Sequence, residues 1–389
     1  MVLPATLFLQ PSAKGHEWLN GTTACFLIEN ESLKKKAVFD LGLRKDWWNL
    51  APQSSAGFGQ ITVSINVETD VAEVIQKAGI PLEDINDLFW SHAHLDHIGD
   101  TSRFPPSAAL NYGKEISALK PGYPDQPGFG LLASDFSGRI NNEIDFSKST
   151  FKIGGFSALD FYGDGSFYLL DTPGHAVGHF SALARTTSIN TGKDTFVLLG
   201  GDVCHFSGMM RPNQSHPFPK SKFPGSALRV EDISNPDALL KRHPRFPAAD
   251  PVEESRMTPW CFVSSAEHTA HEDPTTAQAT LNQLRYAFDE ADNVFVALAH
   301  DNNLLLKQGG KYVLPVLNES PEGDINGWYE AGWKEQLYWS WLGELGKEDK
   351  NGDIESMEPH VTGYWKDGKR YNKAAEILDE VKQQEALKV

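Results

Sequence analysis

Cysteine is scarce in this chain: Cys25, Cys204 and Cys261 are the three among 389 residues. None belongs to a Cys-x-x-Cys pair, and an odd number suits a reducing compartment better than a disulfide framework. Long apolar runs are also missing. The opening Met1 to Leu9 is mildly apolar, but it lacks a basic start, is broken by Pro4 and is too short to span a bilayer. The expectation is a cytoplasmic protein that does not use a membrane. Positive charge is short as well, with 35 Lys plus Arg against 52 Asp plus Glu and a formal net charge of -17. Such a surface repels phosphate backbones, so no nucleic-acid partner is expected and a small-molecule substrate is. Internal repeats and low-complexity tracts are absent. Hydrophobic content of 40% in 43.0 kDa is ample for one large α/β domain plus additions.

Against that background, histidine is concentrated. Of 13 histidines, three fall within His92-Ala93-His94-Leu95-Asp96-His97, directly after the apolar run Leu88-Phe89-Trp90. Two imidazoles two residues apart at a strand exit point the same way, and the following Asp and His reach a second point nearby. One loop can thus serve two adjacent divalent ions; neutral His and ionised Asp suit zinc, and less selectively iron, manganese or cobalt. Six residues cannot enclose two ions, so further ligands are required at other strand ends. The chain offers them in order. Ser166 to Leu170 empties into Asp171-Thr172-Pro173-Gly174-His175, Thr195 to Leu199 into Gly200-Gly201-Asp202, and Asn293 to Ala299 into His300-Asp301. Each repeats one design, a rigid strand aiming a ligand from its carboxyl end.

Elsewhere, Ala24 to Leu43 reads as two strands joined by a polar stretch. Asp70 to Ala78 has helical spacing with Gly79 as a stop, and Pro274 to Ala291 does likewise with Asp273 as N-cap. Phe206 to Phe246 loses regular patterning to repeated prolines and is expected to be an insertion or lid over the site. Its Phe206, Met209, Met210, Phe218 and Phe223 are expected either to wall an apolar substrate pocket or to pin the loop to the core. His268 and His271 have no evident partner and are not counted as ligands. The expected domains are a catalytic unit over 1–324 and an aromatic-rich extension over 325–389. The extension is expected to pack on the catalytic unit, with a homodimer contact or a pocket wall as the alternative.

The motif His92-x-His94-x-Asp96-His97, followed by His175, Asp202 and His300, resembles the metallo-β-lactamase superfamily over about residues 25 to 301, and Asp40-Leu41-Gly42 resembles its early Asp-x-Gly turn. The resemblance implies an α/β fold of αββα sandwich type, here with the Pro-rich insertion and the C-terminal extension added. It further implies two Zn2+ ions, one on His92, His94 and His175, the other on Asp96, His97 and His300, with Asp202 between them. The chemistry implied is attack by a metal-bridging hydroxide on a polarised carbonyl, with Asp96 as proton shuttle.

Within that superfamily, Ser91 to Gly99 looks most like acyl-homoserine lactonases and fungal relatives that open lactones or lactams. The lactonases usually carry a tyrosine three residues after the bridging Asp; here that position is His205, which can still donate a hydrogen bond to a substrate carbonyl. The resemblance therefore implies a lactonase or γ-lactamase, with detoxification of benzoxazolinone-type xenobiotics as one use. The alternative is a glyoxalase II-like thioesterase or other ester hydrolase on the same fold, for which Lys366, Lys369 and Arg370 would be the cations that hold an acidic thiol.

Overall fold

Short runs of alternating apolar residues place two sheets face to face. In the computed structural model, the described residues are 1–389 apart from 128–129, 188–193, 231–232, 234, 247–252, 349–350, 352 and 388–389. The first sheet holds β1 (Phe26–Asn30), β2 (Lys35–Phe39), β3 (Ile85–Phe89), β4 (Ala109–Gly113) and β5 (Asn141–Ile144) in that order. Only its β1–β2 pair is antiparallel. The second holds β6 (Phe151–Ile153), β7 (Phe156–Asp160), β8 (Phe167–Asp171), β9 (Phe180–Arg185), β10 (Phe196–Leu199) and β11 (Val294–Ala297). It is antiparallel up to β10, which pairs in parallel with β11.

Period two decides which side chains meet. Ala37, Phe39 and Phe89 of the first sheet share one core with Phe167, Leu169, Phe180, Ala182, Val197, Leu199, Phe295 and Ala297 of the second. The alternate residues face outward. Val38, Leu88 and Leu110 bury against Ala72 and Ile75 of the helix α1 (Val71–Lys77). Leu170, Leu183, Leu198 and Val296 bury against Ala277, Leu281 and Leu284 of α2 (Pro274–Leu284). The result is the expected αββα sandwich, each large apolar side chain contributing roughly 1.5–3 kcal/mol by burial.

Both expected helix caps form. Asp70 accepts from the Glu73 N–H, and Asp273 from Thr275 and Thr276. The second helix is shorter than the expected 274–291, because after Leu284 the chain widens into a π-turn over Arg285–Asp289. Among the described residues, no helix is long and apolar enough to cross a membrane.

Of the two expectations for the segment after β10, the structure shows the loop pinned to the core. Phe206, Met209, Met210, Phe218 and Phe223 are all buried in one cluster with Leu170, Leu198, Trp260 and Trp341. They pin the segment to the core, since apolar side chains in an irregular stretch gain most by joining the nearest packed surface. Residues 231, 232 and 234 of that stretch lie outside the described residues. The C-terminal aromatics are shared between cores: Trp328 joins the layer between the sheets, while Tyr338, Trp339 and Trp341 join the outer one.

One buried carboxyl makes stability depend on pH. Asp135 is 1% exposed, accepts from the Leu132 N–H and leaves Oδ1 without a partner. Burial pushes its pKa up to about 7. The folded chain therefore holds this proton more tightly than the unfolded chain, whose Asp titrates near ~4. Its stabilising contribution is complete below about pH 4 and is lost as pH rises toward 7, by up to about 4 kcal/mol. Burial pushes Glu344 up to about 7 as well, so denaturant unfolding of Asp135→Asn is expected to remove about half of the fall in stability between pH 5 and pH 8. An unchanged slope would assign that fall elsewhere.

Candidate metal centre

The carboxyl ends of β2, β3, β8, β10 and β11 lie along one edge of the sandwich, and each delivers a polar group to it. Backbone bonds hold that edge together: Phe180 N–H donates to the Ser91 carbonyl, Ala24 N–H to Ala299 and Ala299 N–H to Gly201. After β10, Gly201 takes φ +54°, and a Cβ there would meet Ser91 and His179 at 2.9–3.0 Å. Only glycine lets the backbone come that close, which sets Asp202 against the His92 loop. His94 ends as the N-cap residue of a single turn, Leu95–Ile98, that carries Asp96 and His97.

The structure brings all seven residues singled out by the motif into one cluster. His92, His94, His175 and Asp202 offer ligand atoms that lie within 4.8 Å of one another, and so do Asp96, His97 and His300. Asp202 sits between the two groups. Its Oδ1 is 3.0 Å from His97 Nε2 and 3.2 Å from His300 Nε2; its Oδ2 is 3.3 Å from His175 Nε2 and 3.6 Å from His92 Nε2. His94 Nδ1 lies 3.0 Å from His175 Nε2. All are buried except His94, which is half-buried.

Hydrogen bonds behind the cluster decide which ring nitrogen is free. His97 Nδ1 is 2.8 Å from Asp40 Oδ2, so this nitrogen bears the proton and Nε2 turns inward. His300 Nδ1 donates to the Thr22 carbonyl at 2.8 Å. Ser91 Oγ gives its one proton to Asp40, leaving its lone pair for His92 Nδ1–H at 2.9 Å. His179 donates from Nδ1 to the Thr172 carbonyl and accepts the Asp202 N–H on Nε2, fixing the Asp202 backbone. Such outer partners orient a ligand and set its tautomer.

The electrostatics suit a divalent cation. Burial, then neighbouring imidazoles, hold His92 well below the usual histidine range; burial also lowers His94 and His175. Their lone pairs are therefore available at neutral pH. His97 is the opposite case: burial opposes its charge, but Asp202, Asp40 and Asp96 outweigh that and raise it well above the usual range. His300 is raised by Asp202 and Asp96 against the same penalty. Three carboxylates thus demand positive charge at this point. His92 Nε2, His97 Nε2 and Asp202 Oδ1 are buried and have no hydrogen-bond partner. Orphaned atoms of this kind, all of ligating type and converging, fit a metal better than they fit a polar core.

His205 is also brought in. Its Nε2 lies 3.1 Å from Asp202 Oδ2, and its ring is held between Phe8 at 4.2 Å and His300 at 5.3 Å. It is 1% exposed, so it stands behind the carboxylate and not on an open surface. Asp202, His205 and His300 offer ligand atoms within 4.8 Å of one another. His271, set aside in the sequence for want of a partner, has one: its Nδ1 is 3.2 Å from His175 Nδ1. No spacing rule links residues 175 and 271. The cations expected to hold an acidic thiol are engaged elsewhere, Lys366 and Lys369 with Glu380 and Arg370 with the Thr362 carbonyl.

Comparison with known proteins identifies a family. Residues 19–187 match the family model of the metallo-beta-lactamase superfamily. The chain is 37% identical over 372 residues to gamma-lactamase FDB1 of Fusarium pseudograminearum, covering 92% of this chain and 84% of that one. It is 36% identical over 342 residues to metallo-hydrolase mfmC of Annulohypoxylon moriforme, covering 87% and 82%. Gamma-lactamase MBL2 of Gibberella moniliformis is 41% identical over 232 residues, which are 59% of this chain and 96% of the relative.

Proposed function

The chain belongs to the metallo-beta-lactamase superfamily as a metal-dependent hydrolase, and from that premise we propose that it opens a cyclic amide or cyclic ester using two zinc ions. The observation that supports this most is Asp202, which lies between the two imidazole groups, with His97 at Oδ1, His175 at Oδ2 and His300 within 3.3 Å of both. His92, His94 and His175 would hold one ion; Asp96, His97 and His300 the other; Asp202 would touch both. When bound, such a pair supplies a nucleophile at neutral pH and polarises the substrate carbonyl.

The remaining work falls to this chain's residues. Hydrolysis adds the elements of water across the C–N or C–O bond of the ring, and the leaving heteroatom needs a proton. Asp96 is placed to carry it on Oδ2, which is 3.4 Å from the Thr23 hydroxyl and 3.5 Å from His300 Nε2. His205 acts behind Asp202: its Nε2–H steadies Asp202 Oδ2 at 3.1 Å. Burial of the cluster strengthens each of these interactions by excluding water. Relatives named gamma-lactamase favour a cyclic amide over a thioester, and the paired state of Lys366, Lys369 and Arg370 gives the thioesterase reading no support.

The test is ring opening by zinc-loaded protein across a panel of γ-lactams, benzoxazolinone among them, and lactones, with a thioester as control. Turnover of at least one ring with the thioester untouched is the expected result; turnover of the thioester alone would overturn the reading. His205→Ala is expected to lower turnover about 10–100-fold with both ions retained, as outer-sphere partners do. Loss of an ion in that variant would place His205 among the ligands.

A further inference from the structure

We propose that His271 is a positioning residue that fixes the tautomer of His175 and thereby the affinity of the His92–His94–His175 ion site. The inference rests on the dinuclear reading above. It is carried by a chain of hydrogen bonds whose polarity has one solution. His271 Nε2 lies 3.1 Å from the Phe8 carbonyl, which can only accept. Nε2 therefore bears the proton, and the neutral ring has a bare lone pair on Nδ1. That lone pair faces His175 Nδ1 at 3.2 Å, so His175 donates from Nδ1. His175 Nε2 is then left unprotonated, aimed at His94 Nδ1 at 3.0 Å and Asp202 Oδ2 at 3.3 Å. A backbone carbonyl of the N-terminal segment thus sets, through one imidazole, which nitrogen of another faces the ion.

The backbone around His271 is fixed on both sides. Ala270 N–H donates to the Leu7 carbonyl, Glu272 N–H to the His175 carbonyl and Asp273 N–H to Gly174. Gly174, at φ +120°, lies so close to α2 that a Cβ there would meet Ala277 N at 2.2 Å. His271 itself is 5% exposed. The pair is therefore held edge-on, with the ring planes at 81°, by the main chain and independently of any ion. Three other proposed histidine ligands have an oxygen acceptor behind them: Asp40 for His97, the Thr22 carbonyl for His300 and Ser91 for His92. For His175 that place is taken by a second imidazole.

Two variants separate positioning from space-filling. His271→Phe keeps the ring volume and removes the acceptor; His271→Asn loses volume but offers an amide oxygen near the place of Nδ1. Protein stripped of metal would be titrated with zinc against a chromophoric chelator, with melting temperatures recorded alongside. The expected result is that His271→Phe weakens one of the two zinc sites about 10–100-fold, leaves the other within a few-fold, and that His271→Asn recovers most of the loss. A residue that only filled space would show the reverse order, and that outcome overturns the proposal, as does an unchanged His271→Phe. Should either variant fail to fold, 15N-histidine spectra of the unaltered protein decide. Protons on His175 Nδ1 and His271 Nε2 support the proposal, and the opposite pair overturns it. Unaltered protein that takes up no zinc would overturn the dinuclear reading and this inference together. Two normal zinc sites with an inert His271→Phe would overturn this inference alone.

Discussion

Replacing Asp202 with alanine is expected to abolish ring-opening activity and to strip the protein of metal. Asp202 is the one group that faces both halves of the cluster, with His97 on Oδ1, His175, His205 and His92 around Oδ2 and His300 within reach of both oxygens. Burial alone would raise its pKa, yet His300, His97 and His205 outweigh that and hold it well below the usual carboxylate range. It is therefore charged at neutral pH. Its removal leaves His97 and His300 beside one another with less negative charge to stabilise them, and no neighbouring carboxylate reaches both groups. Zinc content measured on purified Asp202→Ala is expected to fall from about two ions per chain to below about one, with turnover below detection. His94→Ala is expected to abolish turnover as well, with loss of the ion on the His92 side. Full activity with both ions in Asp202→Ala would contradict the site as built here.

The second large effect concerns stability. Asp289 is fully buried at the end of the π-turn, and Arg211 meets it with Nη2 at 2.6 Å and Nε at 3.2 Å. Arg211 also donates to the Tyr338 carbonyl at 3.1 Å and lies over the Tyr338 ring at 4.2 Å. Beside them the Lys334 ammonium, 6% exposed, donates to the carbonyls of Asp289, Ala291 and Val294. This network ties residues after 325 to the approach of β11, and hence to the strand that delivers His300. Asp289→Ala strands a buried guanidinium and is expected to cost about 3–5 kcal/mol in denaturant unfolding. The double variant Arg211→Met with Asp289→Leu, which removes both charges, is expected to recover most of that loss. Burial raises the Asp289 pKa but Arg211 outweighs it, so the net shift is downward. The pair therefore stabilises the fold above about pH 4 and loses that effect as pH falls below it. A double variant as unstable as the single one would show that shape, and not charge, holds this joint.

How far the site could be read from the chain follows from where each part gets its information. His92 to His97, His175, Asp202 and His300 were legible because strand-end ligands follow apolar runs in a fixed order along the chain, and a strand's length and exit are local properties. Asp40 was legible as a turn, though its bond to His97 Nδ1 was not. His179 carried no signal of its own, since holding the Asp202 N–H needs the β9 and β10 ends to meet. His271 was illegible for a stronger reason: its partners, Phe8 and His175, lie 263 and 96 residues away, and no periodicity encodes such a meeting. The apolar side chains of 206–223 left two readings open because their chemistry suits a substrate wall and a core equally. Burial decided it, for they sit with Trp260 and Trp341 against the outer face of the second sheet. The sandwich itself was legible through the resemblance carried by the His92 to His97 motif and the strand-end residues after it, but the pairing of β10 with β11 across the long stretch between them was not.

Anomalous diffraction from zinc-loaded crystals, recorded at the zinc edge, tests the central claim most directly. Two peaks roughly 3.5–4 Å apart are expected, one against His92, His94 and His175, the other against Asp96, His97 and His300, with Asp202 touching both. A single peak, or ions seated away from Asp202, would contradict the account.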